Sequence, residues 1–309
     1  MTDYLDPKTI AKADRLQLAA RSIVEGFLSG SHQSPFYGYS VEFAQQREYS
    51  PGDDIRHLDW KAYAKTDRYY IKQYEEETNY RAMILLDASE SMAYAGSKAV
   101  GLDMKPKTRL TKFQYGAFIA ASLAYLMTRQ GDAPGIALFR DGVVDQLPPS
   151  ASPGQLRNIM EVLSRAEVTG RGEFSKCFSD IAGGLRTRGL VIVISDLFND
   201  SDAVISGLKR VRQRRHETIV FQTLDNDELE FPFQDLTQFI GLEDGGQLNA
   251  DPRAVRSRYL SEFNAFLSAI RKGCHNAGVS HQIADTAHPL DAMLSAYLAR
   301  RSGKGGRRG

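Results

Sequence analysis

Cysteine is nearly missing from this sequence: Cys177 and Cys274 stand far apart, with no further cysteine or histidine at ligand spacing. That argues against a disulfide framework and against a cysteine-ligated zinc, and it suits reduced thiols in a cytosolic protein. Long apolar runs are missing as well. No stretch approaches the roughly eighteen residues that a membrane-spanning helix needs, and the N-terminus lacks a secretory pattern, so a cytoplasmic location is expected. An excess of one charge is lacking too: 39 Lys and Arg against 38 Asp and Glu leave a formal charge of +1. No whole-molecule field therefore favours nucleic acid or an anionic membrane, and any charged interface has to be local.

Catalytic signatures are equally scarce. There is no G-x-x-x-x-G-K-[ST] loop, so ATP hydrolysis by the chain itself is not expected, and neither a G-x-S-x-G elbow nor an H-E-x-x-H pair occurs. A phosphatase of the haloacid-dehalogenase kind would need a second aspartate two residues after Asp87, where this chain has Ser89. What the chain does have is length and apolar content: 309 residues, 42% hydrophobic, enough to bury a sizeable core.

Residues 14–28 place Leu16, Ala19, Ala20, Ile23, Val24, Phe27 and Leu28 at helical spacing before Gly30, an amphipathic helix suited to docking on a domain surface. Residues 30–79 are rich in Tyr, Gly and charge, with a PGDD turn at 51–54 and β-prone stretches at 40–43 and 68–74. From Arg81 onward apolar runs alternate with helical periods. AMILLD (82–87) and GLVIVISD (189–196) are continuous apolar runs, each ending on an aspartate, as expected of strands buried on both faces of a parallel sheet. Further strands are expected at 135–139, 143–147, 217–224 and 279–283, and helices at 111–130, 153–165, 174–186, 201–214, 252–274 and 289–300. This alternation predicts an α/β fold with a doubly wound, mostly parallel sheet. Residues 1–79 then form a helix plus a β-rich or irregular extension, 80–301 the main domain, and 302–309 a disordered basic tail.

The first apolar strand runs into Asp87-Ala88-Ser89-Glu90-Ser91. Ligands of doubly wound sheets bind at the carboxyl ends of the strands, so a carboxylate and two hydroxyls at alternate positions lie on the functional rim. Oxygen-only donors suit a hard divalent ion, Mg²⁺ foremost with Mn²⁺ or Ca²⁺ possible, and not zinc. Asp196 reaches the same rim if its strand lies beside the first. The plainer reading is that both aspartates cap the following helices while the serines satisfy turn hydrogen bonds.

This D-x-S-x-S plus Asp pattern resembles the metal-ion-dependent adhesion site of von Willebrand factor A-like domains, where an acidic group of the partner fills the open coordination position. A wider resemblance rests on several blocks in order: REYSPGDDIRHLDWKAYAKTDRYYIKQYEEETN (47–79), RGLVIVISDLF (188–198), LDNDELEFPF (224–233) and SAYLARR (295–301). Together they look like the DUF58 family of bacterial proteins. The resemblance implies a von Willebrand A-like domain with an added N-terminal part, commonly associated with MoxR-type AAA+ ATPases. A threonine of the family's metal site falls in a Gly-x-Thr-Asp-like turn, but the matching stretch here reads Thr169-Gly170-Arg171-Gly172-Glu173-Phe174. Gly172 stands where the threonine would be, which leaves Thr169 or Glu173 as a substitute, or a site that holds metal weakly or not at all.

Residues 51–77 mix charge with aromatics. Asp53, Asp54, Arg56, Asp59, Trp60 and Tyr63 are candidates for a partner surface, with an internal charge network as the alternative. His57 reads as a hydrogen-bonded structural residue. The functional expectation is a non-enzymatic, protein-binding adaptor whose divalent ion engages an acidic group of a MoxR-type AAA+ ATPase or its client, without nucleic acid or membrane insertion. The alternatives are a metal-dependent hydrolase at the same rim and a scaffold whose metal site is vestigial.

Overall fold

The computed structural model describes residues 7–29, 43–48, 60, 62–63, 68–74, 80–97, 109–172, 174, 177–178, 181, 188–243 and 245–290. Ten strands and six helices are formed among them, counted in chain order: α1 (Pro7–Ser29), β1 (Phe43–Glu48), β2 (Tyr70–Tyr74), β3 (Arg81–Asp87), α2 (Lys112–Arg129), β4 (Ala133–Phe139), β5 (Val143–Leu147), α3 (Gln155–Arg165), β6 (Leu190–Ser195), α4 (Ser201–Gln213), β7 (Glu217–Leu224), α5 (Asn226–Glu230), β8 (Thr237–Ile240), β9 (Gln247–Ala250), α6 (Pro252–Asn276) and β10 (Ser280–Asp285). A 3₁₀ turn covers Glu90–Ala93.

The central sheet runs β10-β7-β6-β3-β4-β5, parallel except for the edge strand β5, which returns antiparallel on β4. In chain order its strands are β3, β4, β5, β6, β7 and β10, so the chain builds outward from β3 to one edge and then restarts at β6 toward the other. The strand order therefore reverses between β3 and β6, the position where doubly wound folds bind ligands. Both faces of these strands are covered. Ile84 and Leu86 join Ile192 and Ile194 in the core beneath α1, α2 and α3, while Met83 and Leu85 join Val191 and Val193 in the core beneath α4 and α6. That two-residue alternation with both sets buried is why the strands read as unbroken apolar runs. Each such aliphatic side chain contributes about 1.5–3 kcal/mol on burial, so the strand pair carrying the rim is firmly anchored.

α1 docks through Ala13, Leu16, Ala20 and Val24 onto the core that α2 and α3 share, as its amphipathic pattern predicts. It begins at Pro7, seven residues ahead of the periodic stretch, because proline is at home in a first helical turn and no breaker follows it. β1 lies at Phe43–Glu48, later than the expected 40–43, and pairs with β2. Its polar sequence gives no strand signal of its own, so the pairing decides it. The PGDD turn lies outside the described residues, as does most of the expected final helix, of which Leu290 is seen. The β8–β9 hairpin and the short α5 had no counterpart in the sequence reading. No helix among the described residues is long and apolar enough to cross a membrane.

Across the β7–β10 pair, His281 Nε2 lies 2.9 Å from Gln222 Oε1, and Gln222 Nε2 donates to the Asp196 carbonyl at 3.1 Å. Burial, with Arg271 assisting, pulls the His281 imidazole down from 6.5 to about 4. A folded-state value below the unfolded one stabilises the fold above about pH 6.5, and that stabilisation is lost as pH falls through 6.5 toward 4. Urea-unfolding midpoints measured at pH 7 and pH 5 should therefore drop on acidification by less in His281→Gln than in the wild type.

Candidate metal site at the sheet rim

Strand register brings the rim residues together. Leu86 pairs with Ile194, so the next residues, Asp87 and Ser195, stand side by side and Asp196 follows one step on. The Ser195 hydroxyl donates to Asp87 Oδ2 at 2.6 Å, and the Ser89 N–H donates to Asp87 Oδ1 at 2.9 Å. The Ser89 and Ser91 hydroxyls lie 3.1 Å apart. Asp87, Ser89 and Asp196 are all buried, at 1% exposure each. Asp196 Oδ1 accepts from the Phe198 N–H at 3.1 Å. Neither aspartate caps a regular helix: Thr111 caps α2 with a full capping box, and Asp200 caps α4. Each aspartate instead accepts from the backbone N–H two residues on, Asp87 from Ser89 and Asp196 from Phe198.

Two buried carboxylates this near each other are electrostatically expensive. Burial, reinforced by the charge of Asp196, pushes the Asp87 carboxyl up to about 7, against the hydrogen bonds from Ser195 and Ser89. A cation of the chain, Lys112, compensates part of this charge. Lys112, fully buried, donates from Nζ to Asp196 Oδ2 at 2.8 Å and to Glu228 Oε1 at 2.6 Å, and its ammonium stands 4.4 Å from the Phe198 ring centroid. Burial alone would lower the lysine's pKa, but Asp196 and Glu228 outweigh it and hold the group above its ordinary value. A cation in the first turn of a helix opposes the helix dipole by about 0.3–1 kcal/mol. That is small beside the about 3–5 kcal/mol lost when one partner of a buried ion pair is removed. Lys112 is therefore held by its carboxylates in spite of the helix.

The loop after Ser91 is pinned from behind by the LDND stretch. Asp225 Oδ2 accepts from the Gly96 N–H at 2.9 Å and from the Thr286 hydroxyl at 2.7 Å. Asp227 accepts from the Ser97 N–H and hydroxyl at 2.8 and 2.7 Å. Position 96 requires glycine, because a Cβ there would stand 1.9 Å from Asp225 Oδ1. Residues 169–172 flank the other side: the Thr169 N–H donates to the Ala88 carbonyl at 3.1 Å, and the Glu90 N–H donates to the Gly170 carbonyl at 2.9 Å.

The sequence-level candidates separate clearly here. Asp87, Ser89, Ser91 and Asp196 assemble at one point. Thr169 does not join them: its side chain is exposed and its hydroxyl accepts from the Arg140 guanidinium, a cation that would repel a metal ion. Gly172 does border the site, since a Cβ on it would lie 3.5 Å from Ser89 Oγ. Glu173, Asp53, Asp54, Arg56 and Asp59 lie outside the described residues. Trp60 is exposed and meets Tyr63 edge-on at 6.4 Å, while Tyr63 stacks on Tyr69 at 4.5 Å. Three charged side chains near the rim were not foreseen: Lys112, Glu228 and Glu243. Burial raises the pKa of the Glu243 carboxyl, against the nearby Ser91 hydroxyl.

Among the described residues no group of three or more His, Cys, Asp or Glu side chains gathers at ligand spacing. An ion here would depend on hydroxyls as much as on carboxylates. The donors suit a hard one: all are oxygen, two are serine hydroxyls already converging, and Asp196 and Glu228 share the Lys112 ammonium.

Fold and rim together define a doubly wound α/β domain with an acidic, hydroxyl-lined notch at its switch point. The chain belongs to the family described as "Protein of unknown function DUF58", which it matches over residues 45–265. It is 25% identical over 236 residues to uncharacterized proteins of Mycobacterium bovis and Mycobacterium tuberculosis, covering 74% of this chain and 69% of each relative. Solved structures similar to it include BatB from Bacteroides thetaiotaomicron, at 14% identity and a TM-score of 0.47 over 72% of this chain and 98% of that one. The Rpn10 VWA domain is also similar, at 14% identity and a TM-score of 0.38 over 70% and 94%.

Lys112→Met leaves Asp196 and Glu228 buried without their counter-ion and should lower stability by about 3–5 kcal/mol, read from urea unfolding. Adding Glu228→Gln to it, which removes one stranded charge, should recover part of that loss.

Proposed function

We propose that this protein is a non-enzymatic, partner-binding module whose rim holds a divalent cation, Mg²⁺ foremost, through Asp87, Ser89, Ser91 and Asp196. The observation that carries the reading is the pair of buried carboxylates at the switch point, set beside two converging serine hydroxyls. Such a notch favours a cation, and its oxygen donors favour a hard one. When bound, the ion would supply a Lewis-acidic position able to accept one further carboxylate, which gives a charged contact at the centre of a modest interface. The chain's own residues do the rest. Ser195 and the Ser89 N–H orient Asp87, Lys112 holds Asp196, and Asp225 and Asp227 fix the serine loop. The partner that the family resemblance suggests is a MoxR-type AAA+ ATPase or its client, and the aromatic set Trp60, Tyr63 and Tyr69 offers a second contact area.

One observation favours a second reading. Lys112 already neutralises Asp196, and Gly172 brings no hydroxyl to the rim, as in a scaffold that has replaced its metal with a tethered ammonium. Calorimetric titration with Mg²⁺ and Mn²⁺ separates the two. Saturable binding that is lost in Asp87→Ala and reduced in Ser91→Ala is the expected outcome. Absence of binding at millimolar ion would leave the scaffold reading in its place.

A further inference from the structure

The end of the sheet opposite the rim is basic. Ala82 pairs with Leu190 and Leu190 with Glu217, so β3, β6 and β7 start level with one another. That register sets Arg81, Arg188 and Arg215, all exposed, at the starts of neighbouring strands about 4.8 Å apart. α4 and α6 end at the same level. Gly273 of α6 lies against Ile205 of α4, and the turn after α6 brings Gly278 so near that a Cβ there would stand 3.4 Å from the Arg212 guanidinium. α4 adds the exposed Lys209 and Arg210, and α6 the exposed Arg271 and Lys272.

Part of this charge serves the helices. A cation in a last turn complements the helix dipole, which accounts for Arg210 and Arg212 of α4 and His275 of α6. It does not account for Arg81, Arg188 or Arg215, which belong to no helix. Two acids at this edge are engaged by Tyr80: Asp132 Oδ1 accepts from its N–H at 3.1 Å, and Glu217 Oε2 from its hydroxyl at 3.2 Å. Elsewhere on the surface Arg21, Arg157 and Arg165 each meet a carboxylate, while among the described residues Lys209, Arg210, Arg271 and Lys272 meet none. The rim's carboxylates do not relieve the repulsion. They lie at the far ends of strands of six and seven residues, about 20 Å away, against a screening length of about 8 Å. A formal charge of +1 therefore conceals a molecule with two oppositely charged ends.

We propose that this basic end docks on an anionic membrane surface, its guanidinium and ammonium groups seated on lipid phosphates. The charges are spread over a level end built from three strand starts and two helix ends, which fits a planar array of headgroups. Guanidinium groups suit phosphate oxygens through paired N–H donors. A nucleic acid fits less well. No exposed aromatic ring stands among these cations for a single strand to stack on, and a duplex, being a rod, would meet only one row of them. None of the large apolar side chains exposed on the described surface falls in these segments either. The attachment is therefore peripheral and electrostatic, without insertion. Docked in this way the protein turns its rim away from the bilayer, toward a partner, whether or not the rim holds a cation.

Co-sedimentation of the full chain with phosphatidylcholine vesicles, prepared with and without phosphatidylglycerol, tests this. Two double variants change the net charge equally but at opposite ends. Arg210→Glu with Lys272→Glu alters the basic end, and Arg253→Glu with Arg258→Glu alters the start of α6, near the Tyr259 hydroxyl that bonds the Glu228 carbonyl beside the rim. All four positions are exposed, so the core is untouched. The wild type should bind only the vesicles that contain phosphatidylglycerol, and should release them as salt rises from about 0.1 M to 1 M. The basic-end variant should bind about a hundredfold more weakly or worse, and the rim-end variant close to the wild type. Equal weakening in both variants would show a diffuse attraction and overturn the proposal. So would a wild-type protein indifferent to phosphatidylglycerol, or one that binds duplex DNA through Arg210 and Lys272 and leaves the vesicles alone.

Discussion

Negative charge buried where the strand order reverses is the constraint around which this molecule is organised. Asp87 and Asp196 follow adjacent parallel strands whose register leaves them no distance to spread, and each is 1% exposed. Bare carboxylates in such a place are costly, so each neighbouring element contributes a compensating group. β6 brings the Ser195 hydroxyl, and the start of α2 brings Lys112, whose ammonium a further acid, Glu228 of α5, shares. The sheet can carry this load because its strands are anchored on both faces by aliphatic side chains.

The rim has a floor held by contacts from distant parts of the chain. The floor is fixed by Asp225 and Asp227, whose carboxylates hold Gly96 and Ser97, and by the backbone bonds from Thr169 and Gly170 to the Asp87–Ser91 loop. These bonds come from segments far apart in the chain, so the serine hydroxyls are held in place before any ligand arrives.

Much of this was legible in the sequence. Asp87, Ser89, Ser91 and Asp196 could be placed because two apolar runs ended on aspartates, and parallel strands buried on both faces leave that signature. The neighbourhood of β3 and β6 follows from the doubly wound order. Lys112 could not be read, since a lysine in the first turn of an amphipathic helix looks like a solvated residue until two distant carboxylates surround it. Glu228 was hidden in the same way, inside a five-residue helix too short for a periodic signal. Glu243 had a faint cue: the Asp244-Gly245 pair between TQFI and QLNA is a hairpin signal. Nothing in the sequence says which way that hairpin leans. Thr169 was a reasonable substitute by spacing alone, and the Arg140 guanidinium, twenty-nine residues earlier, removes it.

The central claim is that the notch between β3 and β6 receives a hard divalent cation. Anomalous scattering from crystals soaked in Mn²⁺ tests it without reference to any partner or activity. The account predicts one strong peak within about 2.0–2.6 Å of the Ser89 and Ser91 hydroxyl oxygens, absent from Asp87→Ala crystals treated alike. Soaked crystals with no peak in the notch, and Lys112 still seated on Asp196, would contradict it.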